Sequence, residues 1–419
     1  MGHHGGNHIR TKKRMTNRQA AIKIIKKLNR SGFEALLAGG CVRDMLLKRP
    51  AKDYDVATNA EPADVIRIFK RTLKVGAKFG VVIVLIDRTQ VEVATFRTES
   101  GYTDGRHPAN VKFATAAEDA SRRDFTINGM FYDPLKKKVI DYVNGRADLK
   151  KQLIRTIGRP AERFGEDYLR MLRAVRFSTQ LGFRIEPKTF SAIKKNAKNI
   201  HSISGERIAM ELEAVLVNSN RSAGASMLAK SGLAKVIFPG ITPQQVNLAT
   251  NVLAQLRKKT DFPLALGGLF ADCKTEFALE RCGILKLSRN QTKHIKFLLT
   301  NRGRLLNDKM PLAQLKLIAS EPYFEDLYEF QKAIQKAGSK SIGPLIKLRK
   351  RIKALGDMEL RPKPLLDGHE LIHLGAVPGP ALGQLAQEMY IAQLEGQLTT
   401  KQQAKQWVKK WLQKHQALD

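Results

Sequence analysis

Cysteine and acidic residues are scarce in this sequence, and long apolar runs are missing altogether. Cys41, Cys273 and Cys282 are the only thiols in 419 residues, and their spacing forms neither a disulfide framework nor a metal-ligand pattern. A reducing, cytoplasmic setting fits. No apolar run approaches the ~20 residues of a membrane helix, the longest, Val81 to Ile86, having only strand length. A soluble protein with no membrane partner is expected. Met1 to Arg14 lacks the apolar stretch of a signal peptide, so residues 1–17 read as a mobile basic arm. His3, His4 and His8 within it are better taken as a solvated tail than as metal ligands. There is no internal repeat.

Acidic residues number 39 against 73 lysines and arginines, a formal charge of +34. Residues 1–220 hold 42 basic and 23 acidic side chains, and residues 221–419 hold 31 and 16, so the excess is spread over the whole chain. Such a charge opposes compaction by self-repulsion unless a polyanion is the usual neighbour, and its spread suits an extended one such as nucleic acid. No stable protein partner is evident. The length exceeds the ~250–300 residues at which a single core stops growing, so more than one domain is expected.

Up to about residue 157 short β-like runs alternate with helices. Apolar residues at helical spacing mark Arg18 to Leu28, Ala35 to Ala38 leads into Gly39-Gly40, and a helix starts near Val42. Asp53 to Ala57 reads as a strand, Pro62 opens a helix through Phe69, and Phe79 to Ile86 with Val91 to Phe96 read as a hairpin. Beyond Gly158-Arg159-Pro160 amphipathic helices follow one another, among them Glu162 to Leu181, Glu206 to Leu216, Leu312 to Ile318 and Gln402 to Leu412, and no stretch reads as a sheet. The expectation is an α/β head followed by an all-α remainder.

Two short segments carry the chemistry. In LLAGGCVRDMLL, Leu36 to Leu47, two glycines between a strand and a helix allow backbone to approach a triphosphate, although a plain turn explains a Gly-Gly as well. In KDYDVAT, Lys52 to Thr58, Asp53 and Asp55 stand two apart in a strand and point the same way. Like charges so placed call for a cation, and hard carboxylate oxygens suit Mg²⁺. An exposed Asp-x-Asp at a strand end is the ordinary alternative.

These segments together with VEVATFR at Val91 to Arg97, RRDFTINGM at Arg122 to Met130 and EDYLRMLRAVRF at Glu166 to Phe177 resemble the polymerase β type of nucleotidyltransferase. The nearer resemblance is to the class II tRNA nucleotidyltransferase and bacterial poly(A) polymerase family. It covers roughly Phe33 to Leu216. It implies an α/β nucleotidyltransferase head of the polymerase β type followed by an all-α neck, body and tail. The corresponding ranges are 18–157, 158–220, 221–355 and 356–419, with RNA binding in the tail.

The resemblance also implies roles. Asp53 and Asp55 would hold Mg²⁺, with Glu92 as a candidate third catalytic carboxylate or an ordinary strand residue with a basic partner. Gly39, Gly40 and Arg43 would border the nucleotide, and Arg122 and Arg123 would meet phosphates. Asp124 and Asn128, four apart and so on one helix face, could hydrogen-bond the ribose hydroxyls. Ordinary surface pairs of Glu118 with Arg122 and Asp119 with Arg123 are the alternative. Asp167 and Arg170, three apart on a helix, would set an acceptor beside a fork of donors. Cytosine and adenine both show an amino group next to a ring-nitrogen acceptor, whereas uracil and guanine do not, so such a pair would take CTP and ATP. Arg173 and Arg176 continue the spacing and serve phosphate or packing.

The reaction implied is template-independent addition of CCA, or of its terminal A, to the 3′ end of tRNA, with two Mg²⁺ ions assisting and pyrophosphate released. The partners are the tRNA acceptor end, CTP and ATP. Two readings compete: poly(A) synthesis on RNA, and a non-catalytic RNA-binding protein with a decayed head. The short loop between Arg97 and Arg122, and the tail from Leu365 to Thr400, resemble the CCA-adding branch. The stretch Thr98 to Pro108 is polar, lacks strand alternation and is expected to be a mobile lever that re-aims the pocket from C to A. No His-Asp dipeptide occurs, so the phosphohydrolase domain of some relatives is not expected. Lys401, Lys405, Lys409 and Lys410 around Trp407 and Trp411 form either an RNA surface or a packed Trp pair with a solvated lysine face.

Overall fold

The computed structural model describes residues 15–74, 76–102, 108–356 and 359–416; the arm before residue 15, with His3, His4 and His8, lies outside them. The chain forms two compact units, one of residues 1–215 with 226–240, the other of 216–225 with 241–419. Among the described residues no helix is long and apolar enough to cross a membrane.

The first unit is built on a mixed seven-stranded sheet. Its helices include α1 (Asn17–Arg30), α2 (Gly40–Leu46), α3 (Pro62–Ile68), α4 (Ala116–Arg122), α5 (Gly145–Lys150), α6 (Pro160–Glu166), α7 (Leu169–Leu181), α8 (Pro187–Asn196) and α9 (Gly205–Leu216), and the short helix Leu233–Ile237 also belongs to it. The strands are β1 (Ala35–Ala38), β2 (Asp55–Thr58), β3 (Thr72–Leu73), β4 (Val81–Ile86), β5 (Thr89–Thr95), β6 (Arg97–Tyr102), β7 (Pro108–Phe113), β8 (Phe131–Asp133), β9 (Lys138–Ile140), β10 (Leu153–Ile154) and β11 (Arg184–Ile185). The sheet order is β3-β4-β5-β2-β1-β8-β9, antiparallel except where β2 runs beside β5. Helix α1 begins with a capping box of Thr16 and Gln19 and buries Ala20, Ala21, Ile24, Ile25 and Leu28. In β5, buried Val91 and Val93 alternate with exposed Glu92, so one face of that strand is core and the other is open.

Four expectations need correction. The stretch from Thr98 to Pro108 is not without strand: β6 and β7 pair from Arg97↔Phe113 to Tyr102↔Pro108, and residues 103–107 lie outside the described ones. This two-stranded ribbon pairs only with itself, so its sequence need not alternate as a core-facing strand does. Asp53 precedes β2, which starts at Asp55. The run from Glu162 to Leu181 is two helices, broken at Asp167, whose carboxylate takes the Leu169 N–H at 3.0 Å in competition with the helical ladder. The helical region also holds one strand, β11, which pairs with β10 over two residues, too short to leave a periodic signal.

The second unit is helical. The segment Phe262–Leu269 is buried at every position, and Gly268 lets Leu253 and Leu256 pack close to its backbone. At the C-terminal end Leu366, Leu371, Leu385, Met389, Ala404, Val408 and Trp411 form a separate core, with Trp407 packed against it. The Trp411 indole N–H donates to Glu388 at 2.7 Å, while Lys405, Lys409 and Lys410 are exposed. The Trp pair is therefore packing, beside a solvated lysine face.

Gly145 opens α5 under the turn Thr126–Asn128, where a Cβ would stand 2.3 Å from the Thr126 carbonyl and 2.8 Å from Met130 Cγ. Backbone cannot yield there. Gly145→Ala should cost about 2–3 kcal/mol in urea unfolding, whereas Gly283→Ala, with open space around it, should be neutral or stabilising by up to ~1 kcal/mol. Equal midpoints for the two variants would refute the packing argument.

Candidate active site

Strand register gathers the site. Ala38 at the end of β1 pairs with Asp55 at the start of β2, and Val56 pairs with Val93, so the glycine turn, Asp55 and Glu92 are neighbours although distant in sequence. On the other side Ala38 pairs with Phe131, and the Gly39 N–H donates to the Met130 carbonyl at 3.1 Å. The end of the segment Arg122 to Met130 is thereby laid beside the same turn. Gly39 has φ +71°, and a Cβ there would meet the Arg123 guanidinium at 2.9 Å.

A cavity of about 480 Å³ opens at this junction, bordered by Gly39, Gly40, Arg43, Asp55, Arg122, Arg123, Asp124, Asn128, Asp167, Arg170 and Arg173. Leu169, Phe177 and Arg207 complete it. Asp53 and Glu92 line an adjoining recess of about 400 Å³ with Asn17, Tyr54 and the shared Asp55. Arg176 borders neither: it pairs with Glu211 at 3.1 Å and stacks over the Phe177 ring at 4.5 Å. Its packing alternative is the one realised.

The electrostatics differ between the two hollows. Asp55 keeps an exposed edge at the start of β2, but the protein crowded around its carboxyl partly desolvates it, and this, then Glu92 and Asp53, push it up to about 6 against a partial offset from Arg123. The three carboxylates thus line an acidic recess in which Arg123 offsets only part of the repulsion, and their oxygens are donors of the kind a hard divalent cation takes. In the larger cavity, by contrast, every arginine is held by an acceptor. Asp119, buried, takes Arg122 and Arg123 together, and Glu118 closes the capping box of α4 with Thr115 instead of meeting Arg122. Arg43 donates to Asn128 at 2.7 Å and to its neighbour Asp44 at 2.9 Å.

Asp124 and Asn128 do not share a helix, because α4 ends at Arg122 and Asn128 closes a short 3₁₀ turn. They nevertheless touch, Asn128 Nδ2 donating to Asp124 Oδ1 at 3.1 Å. Arg173 grips the other Asp124 oxygen at 2.9 and 2.5 Å. Burial opposes the charge on Asp124, yet the Arg173 pair outweighs it and holds the carboxyl down at about 2.

Asp167 and Arg170 both face the cavity without pairing with each other, since the helix break puts Asp167 two residues before α7. Arg207 of α9 donates to Asp167 Oδ2 at 2.8 Å, and Arg170 is held by Glu166 and by the Arg163 carbonyl. Arg207, Glu166 and Phe177 were not singled out from sequence. No local signal marks Arg207: its i, i+4 spacing to Glu211 would suggest that pair, whereas Glu211 takes Arg176 and Arg207 takes Asp167.

Among the described residues, Asp261, His294 and Asp326 of the other unit bring possible metal-ligand atoms within 4.8 Å of one another. Asp326 is already paired with Arg257, and the His294 ring stacks on Tyr323 at 4.1 Å, so this is an internal network.

Comparison with known proteins follows the same outline. Residues 35–155 match the family described as the poly A polymerase head domain, and residues 182–245 match a probable RNA and SrmB-binding site of polymerase A. A CCA-adding enzyme of Lactobacillus johnsonii is 36% identical over 400 residues, covering 92% of this chain and 95% of that protein. One of Enterococcus faecalis is 34% identical, with 91% and 93% covered. The chain belongs to the CCA-adding enzyme family. Among solved structures, a Bacillus stearothermophilus CCA-adding enzyme in complex with CTP superposes with a TM-score of 0.80 at 28% identity, covering 97% of this chain and all of that one. A Thermotoga maritima CCA-adding enzyme complexed with tRNA shares the fold at a TM-score of 0.68 and 22% identity, covering 96% of this chain. Family membership also carries a divalent metal requirement.

The raised Asp55 carboxyl has a sign that can be tested. Its folded value of about 6 lies above the ordinary 3.8, so ionisation opposes folding above pH 6 and the penalty vanishes below about pH 4. Metal-free Asp55→Asn should therefore melt higher than wild type at pH 8, by on the order of 1 kcal/mol after solvent screening, and level with it near pH 4. A wild-type protein more stable than the variant at pH 8 would contradict the reading.

Proposed function

We propose that this chain adds CCA, or its terminal A, to the 3′ end of tRNA from CTP and ATP and releases pyrophosphate. One observation carries the proposal: Asp55 is shared between the carboxylate recess and the arginine-lined cavity. A group that handles a cation thus borders the space that takes a nucleotide. The relatives are CCA-adding enzymes, so poly(A) synthesis is not favoured. The complete set Asp53, Asp55, Asp167 and Arg170 argues against a decayed head.

Asp53 and Asp55 would hold the metal, with Glu92 beside them, and Mg²⁺ suits this all-oxygen donor set. When bound, the ion supplies Lewis acidity, neutralising phosphate charge and easing ionisation of the attacking hydroxyl. The remaining work belongs to side chains. Arg122 and Arg123, fixed by Asp119, present guanidiniums to the triphosphate. Asn128, with Asp124 behind it, offers an amide to the ribose. Asp167 accepts from the exocyclic amino group of C or A, and Arg170 donates to the adjacent ring nitrogen. Gly39 and Gly40 leave room for the sugar and phosphates. We assign residues 18–157 to the head, 158–220 to the nucleotide-selecting neck, and 221–355 and 356–419 to a body and tail that hold RNA. The buried free thiols favour a reducing compartment, and we place the enzyme in the cytoplasm.

The test is extension of tRNA ending before CCA and of tRNA ending in CC, with labelled CTP, ATP or both and sequencing of the product. Added CCA or A supports the proposal; a homopolymeric A tail, or no incorporation with metal present, refutes it. Asp53→Ala or Asp55→Ala should lower turnover by about 10³-fold or more while leaving tRNA affinity nearly unchanged. Asp167→Ala should relax discrimination against UTP and GTP by roughly tenfold to a hundredfold in relative kcat/KM. Unchanged nucleotide preference would return Asp167 to a structural role.

A further inference from the structure

The first 33 residues contain nine lysines and arginines and no aspartate or glutamate. Four of these cations, Lys23, Lys26, Lys27 and Arg30, stand on the exposed side of α1. Lys70 and Arg71, which follow α3, face them across a groove of about 650 Å³ whose floor is Phe69, Leu85 and Ile86. No carboxylate borders this groove, and none of the six cations has an ion-pair partner among the described residues. That is the reverse of the catalytic cavity, where each arginine is tied to an acceptor. Lys27 alone is anchored, donating to the Ile68 carbonyl at 2.5 Å and lying over the Phe69 ring at 4.9 Å.

The groove is separate from the active site. Its lining shares no residue with either catalytic hollow. Helix α1 packs against β1, β2 and β5 of the sheet. Asn17, at the start of α1, lines the carboxylate recess. Arg30, at its other end, is roughly 20 Å further along the axis at the helical rise per residue. One helix thus connects the reaction centre to an unneutralised cationic groove.

Resting on the reading that this chain acts on RNA, we propose that the groove is a second RNA contact, holding the sugar-phosphate backbone outside the catalytic cavity. Lys23, Lys26 or Lys27, and Arg30 follow one another along the helix over about 10 Å, a row that fits a linear polyanion better than a point anion. Flexible ammonium groups suit contact with phosphates regardless of sequence. The apolar floor is recessed, Phe69 being only 6% exposed, so no hydrophobic wedge projects for a bilayer. Uncompensated like charge costs the free protein self-repulsion, and a phosphate backbone relieves it.

The experiment compares full-length wild type with a K23Q/K26Q/K70Q variant and a control K136Q/K137Q/K138Q variant, whose three lysines are equally exposed elsewhere in the same unit. The probe is a tRNA transcript lacking CCA, with Kd measured across salt concentrations. Removing three phosphate contacts should reduce the slope of log K against log salt by about 2 and raise Kd about tenfold near 0.1 M salt. Turnover at saturating RNA and the melting temperature should stay at wild-type values. Single K23Q and K70Q variants should each carry about a third of the effect, which guards against a folding defect in the triple variant. A slope equal to that of the control variant overturns the proposal. So does unchanged RNA binding with loss of binding to phosphatidylserine vesicles, which would assign the groove to a membrane surface. Wild-type protein that binds RNA through this groove yet incorporates no nucleotide would sink the catalytic reading alone.

Discussion

The ion pair between Asp124 and Arg173 is the constraint on which the site's geometry depends. Asp124 sits in the turn after α4 and Arg173 on α7, so the pair fixes the sheet-borne motif against the helix that follows it. Both Asp124 oxygens are committed, one to the Phe125 N–H and Asn128, the other to two arginine nitrogens. A buried carboxylate left without its arginine would cost about 3–5 kcal/mol. Because its carboxyl is held down at about 2, the pair persists over the whole range above pH 4. Asn128 extends it to Arg43, and the Phe177 ring lies beneath Arg43 and Arg173, so a short polar chain over one aromatic ring aligns α2, the 3₁₀ turn and α7.

Around that chain the cavity resolves a conflict between charge and order. Six arginines border one hollow and would repel one another if they were free. Each is tethered, and Asp119 alone secures two. Tethering lowers the entropy an incoming triphosphate would otherwise have to remove, since planar guanidiniums fixed in place need little further ordering. The carboxylate recess follows the opposite rule. Asp53, Asp55 and Glu92 have no ion-pair partner among the described residues, and desolvation followed by the Glu92 and Asp53 charges raises the Asp55 carboxyl to about 6 although Arg123 offsets part of the rise. One hollow is neutralised in advance and the other is not, as expected where one receives a flexible anion and the other a small cation.

Much of this was legible in the sequence, and the exceptions have physical causes. The glycine turn, the paired aspartates and the helical starts near Val42 and at Pro62 follow from local rules, and the structure places them within a residue or two, at Gly40 and Pro62 for the helices. Helical spacing failed at Asp124 and Asp167. In both places an aspartate accepts a backbone N–H within two residues of itself, and the chain leaves the helix there. Register between β1, β2 and β5 could not be read, because nothing in the local pattern says which strands pair, and Glu92 was accordingly only a candidate. Arg207 and Glu166 were missed for the same reason: their importance comes from what they hold, which only tertiary structure reveals. The β6–β7 ribbon has no periodic signal in its sequence, and its backbone pairing, set between two segments separated by residues outside the described ones, is a tertiary feature.

The helix break at Asp167 is the departure that best fits the proposed chemistry. Had Asp167 and Arg170 shared one helical face as three-apart neighbours, they would have been placed to neutralise each other, and a base would have had to break that pair before binding. With the break, each is held from behind, Asp167 by Arg207 and the Leu169 N–H, Arg170 by Glu166 and the Arg163 carbonyl. A carboxylate oxygen has two lone pairs and a guanidinium five N–H donors, so both groups retain capacity toward the cavity after these contacts. Two groups that are to act as a template for a third must not satisfy one another. In the proposed reaction, holding them by separate partners would leave an acceptor and a donor free to meet one base, and the same partners would limit how far either could swing toward a base of the wrong pattern.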